Sequence, residues 1–396
     1  MAIKISAVAQ KIKPSATLAV SSKAKAMIKE GVDVVNFGVG EPDFDTPQNI
    51  KVAGIKAIEG GFTKYTPASG IPELKEAICE KLANDNGIQY EPKQVIVSCG
   101  GKHVLHNLLF VLCDDGDEVL IPAPYWLSYT DMTVMVGGVP VIVPTDEKDA
   151  FKLKKEALAE KITPKTKAMI LNSPSNPTGM AYTEEELREI IGFLIEKGIV
   201  VISDEMYEKI IYDGLVHASP ASFGDEFKEK VITVNGVSKT YAMTGWRIGY
   251  AAGPPEVIEA AGRIQSQVTS GPNAMAQKAA VEALIGDQSE VPKMVAEFDK
   301  RRKYIVKRLN AMKNVTCVNP LGAFYAFPNV SGYYGKELGG EPVKDSISFC
   351  NVLLDKAKVA AVPGAPFGAD AHIRFSYATS MERIEEGMKR MEQALG

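Results

Sequence analysis

Between residues 94 and 254 the chain alternates short apolar runs with amphipathic ones, and nothing else in it constrains the fold as tightly. "QVIVSCG" (94–100) leads into "GKHVLHNLLFVL" (101–112), and "KAMILNSP" (167–174) precedes "TEEELREIIGFLIEKG" (183–198). In that last run Leu187, Ile190, Ile191 and Leu194 recur at helical spacing, and Thr183 with Glu186 three residues on makes a capping box at its start. "GIVVISDE" (198–205), "KVITVNGVSK" (230–239) and "RIGYAAGP" (247–254) are near-continuously apolar, as strands are when both faces are buried. Strands alternating with helices predict an α/β fold whose large domain holds a mostly parallel sheet covered by helices.

From about residue 290 the pattern changes. A long polar helix, "VPKMVAEFDKRRKYIVKRLNAM", is followed by "GAFYAFPNV", "AHIRFSYA" and a last helix, capped by Thr379 and Glu382 and carrying Ile384, Met388, Met391 and Leu395 on one face. This predicts a smaller α+β domain. With 396 residues the chain exceeds what one core usually supports, so the expected division is 48–290 for the large domain and 1–47 with 291–396 for the small one. The composition (45% hydrophobic, 24% charged, net charge −4) has no basic excess to point to nucleic acid or a membrane surface. The first twenty residues interrupt their apolar positions with Lys4, Lys11 and Lys13, and no apolar run is long enough to span a bilayer. Five scattered cysteines without a C-x-x-C pair fit reduced thiols in a cytoplasm. His103 and His106 stand one helical turn apart, but with no carboxylate or cysteine at ligand spacing nearby no metal is expected.

In an open parallel sheet, ligands bind beyond the carboxyl ends of the strands. Five predicted strand ends carry chemistry here: Gly100-Gly101-Lys102 opening a helix, Tyr125-Trp126, Asn176 within "NSPSNPTG", Asp204 with Tyr207 three on, and Ser238-Lys239. Each has a plainer reading: Asp204 as a helix cap, Trp126 as core, Asn176 as a turn former, Lys239 as a solvated loop lysine. Together they offer a phosphate cradle at a helix start, an aromatic plate, an acid, a phenol or amide, and an amine. Pyridoxal phosphate makes all five demands.

The segments "GEPDFDTP" (40–47), "YTPASGIPELKEAI" (65–78), "NSPSNPTG", "SDEMYE", "VSKTYAMTGWRIGY" and "IRFSYA" resemble, in order, the class I aminotransferases among the fold type I pyridoxal-phosphate enzymes. The likeness runs along essentially the whole chain and is nearest to the bacterial aspartate aminotransferase subgroup. It implies that Lys239 is the lysine that bonds the cofactor and then transfers a proton at the substrate Cα. By the same resemblance Ser238, Arg247, Gly101 and Lys102 hold the phosphate, Asp204 keeps the ring nitrogen protonated, Tyr207 and Asn176 bond the ring oxygen, and Trp126 stacks on the ring. Tyr65 matches a tyrosine that reaches the phosphate from a partner subunit, which implies a homodimer with composite active sites.

The substrates implied are an amino acid, with aspartate foremost, and 2-oxoglutarate, exchanged in a ping-pong transamination. An amino acid's α-carboxylate suits a bidentate arginine, and Arg374 matches the family position, with the backbone of Gly40 closing over the substrate. A distal carboxylate needs a second contact, for which Lys102, Lys13 and Ser15 are the candidates. Amino donors such as alanine, prephenate as the keto acid, or aromatic substrates would use the same cofactor residues, as would a lyase. A ligand-sensing regulator on this fold would be expected to carry a DNA-binding head. A dehydrogenase is excluded because "VNFGVGEP" lacks the third glycine of a dinucleotide fingerprint.

Overall fold

The structure, a computed structural model, describes residues 3–12 and 16–396. Its centre is a seven-stranded sheet. In chain order the strands are β1 (Val95–Ser98), β2 (Glu118–Pro122), β3 (Val139–Val143), β4 (Thr166–Asn172), β5 (Val200–Asp204), β6 (Val231–Gly236) and β7 (Gly249–Ala252). They lie in the order β1-β7-β6-β5-β4-β2-β3. All pairings are parallel except those of β7, which runs antiparallel to both β1 and β6.

Period-two alternation sends each strand's side chains to two separate apolar layers. Val95 and Val97 pack on one face with Leu74, Ile78, Leu187 and Ile191, while Ile96 packs on the other with Leu105, Leu108 and Ile258. A one-residue slip would exchange the two sets, and each fully buried Leu or Ile contributes about 1.5–3 kcal/mol, so the register is firmly specified. The capping box at Thr183 and Glu186 forms as its spacing predicts.

Two features of the sheet depart from the sequence reading. β3 was not anticipated because "VPVIV" is an edge strand with partly exposed residues, where Pro140 is tolerated. β7 is antiparallel because the connection Val237–Ile248 contains no crossover helix; a short return of this kind places a strand beside its predecessor in the opposite sense.

The C-terminal region builds its own core. Helix Glu290–Ala311 contributes Phe298, Ile305 and Leu309, helix Met381–Leu395 contributes Ile384, Met388 and Met391, and an antiparallel sheet joins β8 (Tyr325–Ala326), β9 (Val362–Pro363) and β10 (Ile373–Ser376). The N-terminal segment joins this core: Val35–Asn36 pairs in parallel with Val359–Ala360, and Phe37 is fully buried against Phe375. Tyr207, Ile210 and Tyr212, which follow β5, also pack into it. At the last helix the N-cap is Ser380, whose hydroxyl accepts from the Arg383 N–H, and not Thr379 as expected; of two adjacent hydroxyls, the one directly before the first helical residue takes the role. Among the described residues no helix is long and apolar enough to cross a membrane.

Candidate active site

The carboxyl ends of β1, β2, β4, β5 and β6 face a cavity of about 460 Å³, closed from the other side by residues of the C-terminal core. After β1 the chain turns at Gly100, whose φ of +89° suits glycine; a Cβ there would lie 2.4 Å from Arg247 Nη2. The helix Gly101–Leu112 starts at once, so its first N–H groups, which have no partner within the helix, face the cavity mouth. Arg247 takes the left-handed conformation (φ +59°), which costs a non-glycine residue about 1–2 kcal/mol. It places the guanidinium against this turn, donating to Thr244 O at 2.9 Å and to Cys99 O at 3.4 Å.

Asp204 ends β5 and is buried. Tyr129 donates to its Oδ2 at 2.6 Å and the Met206 N–H to its Oδ1 at 3.2 Å. Burial pushes the Asp204 carboxyl up to about 6, against the opposing pull of these two bonds. Asn172, the last residue of β4, donates to Asp204 O (2.9 Å) and accepts from the Asn176 N–H (2.8 Å), which pins the "NSPSNPTG" turn to the Asp204 strand. Tyr207 is buried with its hydroxyl 2.8 Å from that of Tyr325.

Lys239 donates to Gly40 O at 2.6 Å. Burial, with Arg374 and Arg247 adding like charge, pushes its ammonium down to about 8, opposed by Glu41. A lysine in that range is partly neutral near pH 8 and so is available as a nucleophile. Ser238 and Trp126 also line the cavity, Trp126 edge-on to Tyr129 with ring centroids 5.4 Å apart. Lys102 carries its Nζ 4.9 Å over the Trp126 ring.

Arg374, on β10, is 2% exposed. Its Nη1 donates to Asn176 Oδ1 (2.9 Å) and its Nη2 to Gly38 O (3.0 Å), while its buried Nε has no partner among the described residues. Arg374 is not held by a buried ion pair: among the described residues no carboxylate lies within ion-pair distance of it, nor of Lys102, Lys239 or Arg247, whereas Arg301, Arg302, Arg308 and Arg383 each have one. Among the described residues, four cations and one carboxylate, Asp204, thus line the cavity. Such a site can hold an anion at the helix start and a second at Arg374, with an amine and an acid between them.

Of the residues singled out in the sequence, Gly40, Gly101, Lys102, Trp126, Asn176, Asp204, Tyr207, Ser238, Lys239, Arg247 and Arg374 are brought together here. Tyr65 is not: it is 98% exposed and does not line the cavity. Lys13 and Ser15 lie outside the described residues. Tyr129, Asn172 and Tyr325 were missed. His103 accepts the Cys99 N–H on its Nδ1. Glu205, Glu208 and His217 cluster with ligand atoms within 4.8 Å of one another. That trio is internally satisfied: Lys81 and Asn86 bond Glu208, Ser203 and Ser219 donate to Glu205, and His217 lies 2.9 Å from it.

The family described as aminotransferase class I and II matches residues 32–391. The chain belongs to that family. This aminotransferase is 49% identical over 384 residues to the aspartate/prephenate aminotransferase of Cereibacter sphaeroides, covering 96% of each chain. Its structure superposes on the aspartate aminotransferase of Rhizobium meliloti with a TM-score of 0.96 at 43% identity, covering 100% and 99% of the two chains. It superposes on the aspartate aminotransferase of Thermus thermophilus with maleate with a TM-score of 0.94 at 41% identity, covering 100% of both chains.

Proposed function

We propose that this aminotransferase uses pyridoxal phosphate to move the amino group of an L-amino acid, with aspartate foremost, to 2-oxoglutarate in two half-reactions. The observation that carries the reading is the pairing, in one cavity, of an amine that among the described residues hydrogen-bonds a backbone carbonyl alone with a buried arginine whose hydrogen-bond partners among them are neutral. The residues fit the cofactor. The N–H groups of Gly101 and Lys102, the Ser238 hydroxyl and the Arg247 guanidinium suit its phosphate, and Trp126 suits its ring face. Asp204 suits its ring nitrogen, and Tyr207 with the Asn176 amide N–H suits its ring oxygen, because the Asn176 Oδ1 is already taken by Arg374. When bound, this group supplies an electron sink conjugated to the substrate Cα.

The chain's own residues do the rest. Arg374 takes the α-carboxylate through the fork geometry that lysine lacks, and the backbone of Gly40 lies over the substrate. The Lys239 amine, held near neutrality by burial, removes and returns the proton at Cα. We read the small unit, 1–47 with 291–396, as the one that carries Arg374, and 48–290 as the large unit that carries Lys239. The five cysteines, free in the structure, accord with a cytoplasmic setting.

For the distal carboxylate we favour Lys102: its Nζ sits at the cavity wall over the Trp126 ring, with the Asp131 carboxylate acting on its charge. Maleate, the compound with which the Thermus enzyme was crystallised, is a dicarboxylate, which accords with a two-carboxylate substrate. Prephenate, in the name of the Cereibacter relative, is the second substrate to test. A panel of amino donors and keto acids assayed on wild type and on Lys102→Ala tests both. The variant is expected to lose about 1.5–3 kcal/mol in kcat/KM for aspartate, the worth of a hydrogen bond to a charged group, and almost nothing for alanine. Equal losses for the two would assign Lys102 to the phosphate turn and leave Lys13 and Ser15 as the residues to examine.

A homodimer completes the reading, with Tyr65 serving the partner's site. Its near-complete exposure in the single chain accords with this. Lys239→Ala and Tyr65→Ala proteins, each impaired alone, should regain activity when mixed and allowed to exchange subunits. Half of the dimers would then be mixed and each would hold one intact site, giving about a quarter of wild-type activity. No recovery on mixing would place Tyr65 outside the partner's site.

A further inference from the structure

Tyr325 is buried (1% exposed) on β8, within the C-terminal core, yet its side chain lines the cavity. β8 pairs with β10 so that Tyr325 faces Ser376, and Arg374, two residues before Ser376, projects from the same side of the sheet. The Arg374 guanidinium carbon lies 4.6 Å from the Tyr325 ring centroid, so the phenol forms a seat for an arginine that lacks a carboxylate partner among the described residues. The far end of the same ring reaches Tyr207, hydroxyl to hydroxyl at 2.8 Å. A Cβ at Gly40 would come within 3.1 Å of the Tyr325 hydroxyl, so the substrate-side backbone also approaches here without a side chain.

We propose that Tyr325 is a positioning residue that aims the Tyr207 hydroxyl at the cofactor's ring oxygen while seating Arg374 for the α-carboxylate. The proposal rests on the reading of Tyr207 given above. A phenol has one proton and accepts through its oxygen. If Tyr207 gives its proton to the ring oxygen, the 2.8 Å bond can persist only with Tyr325 as the donor. A chain then runs Tyr325 to Tyr207 to ring oxygen, and each bond polarises the next. The other charged or titratable groups facing Tyr207 are Arg374 from β10, Asp204 before it on its own turn, Lys239 with its Nζ 5.9 Å from the ring centroid, and Tyr129 from the helix Ser128–Met135. Among the described residues, Tyr325 is the group hydrogen-bonded to the Tyr207 hydroxyl.

The test is the pH titration of the visible absorbance of the cofactor-loaded enzyme. A donor on the ring oxygen favours its charged form, so weakening that donor raises the midpoint. Tyr207→Phe should raise it most. Tyr325→Phe should raise it by a smaller amount and leave maleate affinity, read from the same absorbance, within about twofold of wild type because the ring still seats Arg374. The double variant should titrate with the midpoint of Tyr207→Phe alone. Tyr325→Leu, which removes the ring, should weaken maleate binding by about fivefold or more. An unmoved midpoint in Tyr325→Phe beside a shifted one in Tyr207→Phe overturns the proposal alone, as does a double variant whose shifts add. An unmoved midpoint in Tyr207→Phe overturns the role given to Tyr207 and the proposal with it. Unchanged maleate affinity in Tyr325→Leu overturns the seating of Arg374.

Discussion

Lys239→Ala is expected to fold, to retain affinity for the cofactor, and to turn over at least about 10²–10⁴-fold more slowly than wild type, the range of a positioned proton-transfer group. The loss should be larger still, because the role proposed for this amine also makes it the nucleophile. Folding should survive because, among the described residues, the Lys239 side chain hydrogen-bonds Gly40 O and otherwise meets the Tyr207 and Phe324 rings only through its ammonium, at 5.9 and 5.8 Å from their centroids, so truncation leaves the apolar packing of those rings in place. Steady-state turnover beside cofactor binding and thermal unfolding checks all three points. Turnover within about tenfold of wild type would remove Lys239 from the reaction, since loss of a proton carrier costs more than that.

Asp204→Asn should separate kcat from cofactor affinity. The substitution keeps the shape and can still accept from Tyr129, but it removes the negative charge that would hold a proton on the ring nitrogen. Removing one preorganised electrostatic partner of a developing charge costs about 10²–10³-fold in kcat. Cofactor affinity rests also on the phosphate contacts and should fall far less. Equilibrium titration of cofactor beside kcat decides it: affinity lost with kcat level would make Asp204 an anchor and nothing more.

How far the site could be read from the chain follows from where each residue's partners lie. Ser238, Lys239 and Arg247 share one short connection between adjacent strands, so strand ends and residue chemistry located them together. Asp204 and Tyr207 sit within one turn of each other and were legible for the same reason. Tyr129 and Tyr325 were not. Their partners, Asp204 and Tyr207, are 75 and 118 residues away, and a tyrosine within an apolar segment reads as core until the fold brings the partner to it. Asn172 looked like the polar end of a strand, and its role in pinning the Asn176 turn needs both neighbours in place. Edge strand β3 and the reversed direction of β7, itself expected as a strand, escaped because edge position and strand direction belong to sheet order, which local apolar patterning does not encode.

The four cations around the cavity, with no carboxylate of the described residues within ion-pair distance of any of them, carry a cost that falls on the folded chain itself. Lys239 and Arg374 are the buried ones, and keeping them charged out of water opposes folding; a bound anion would relieve that opposition. Thermal stability therefore becomes a function of ligand concentration: an occupant at about a hundred times its Kd adds about 2.7 kcal/mol by mass action. In these terms the melting temperature would serve as a gauge of how much maleate, or another dicarboxylate, the protein has bound.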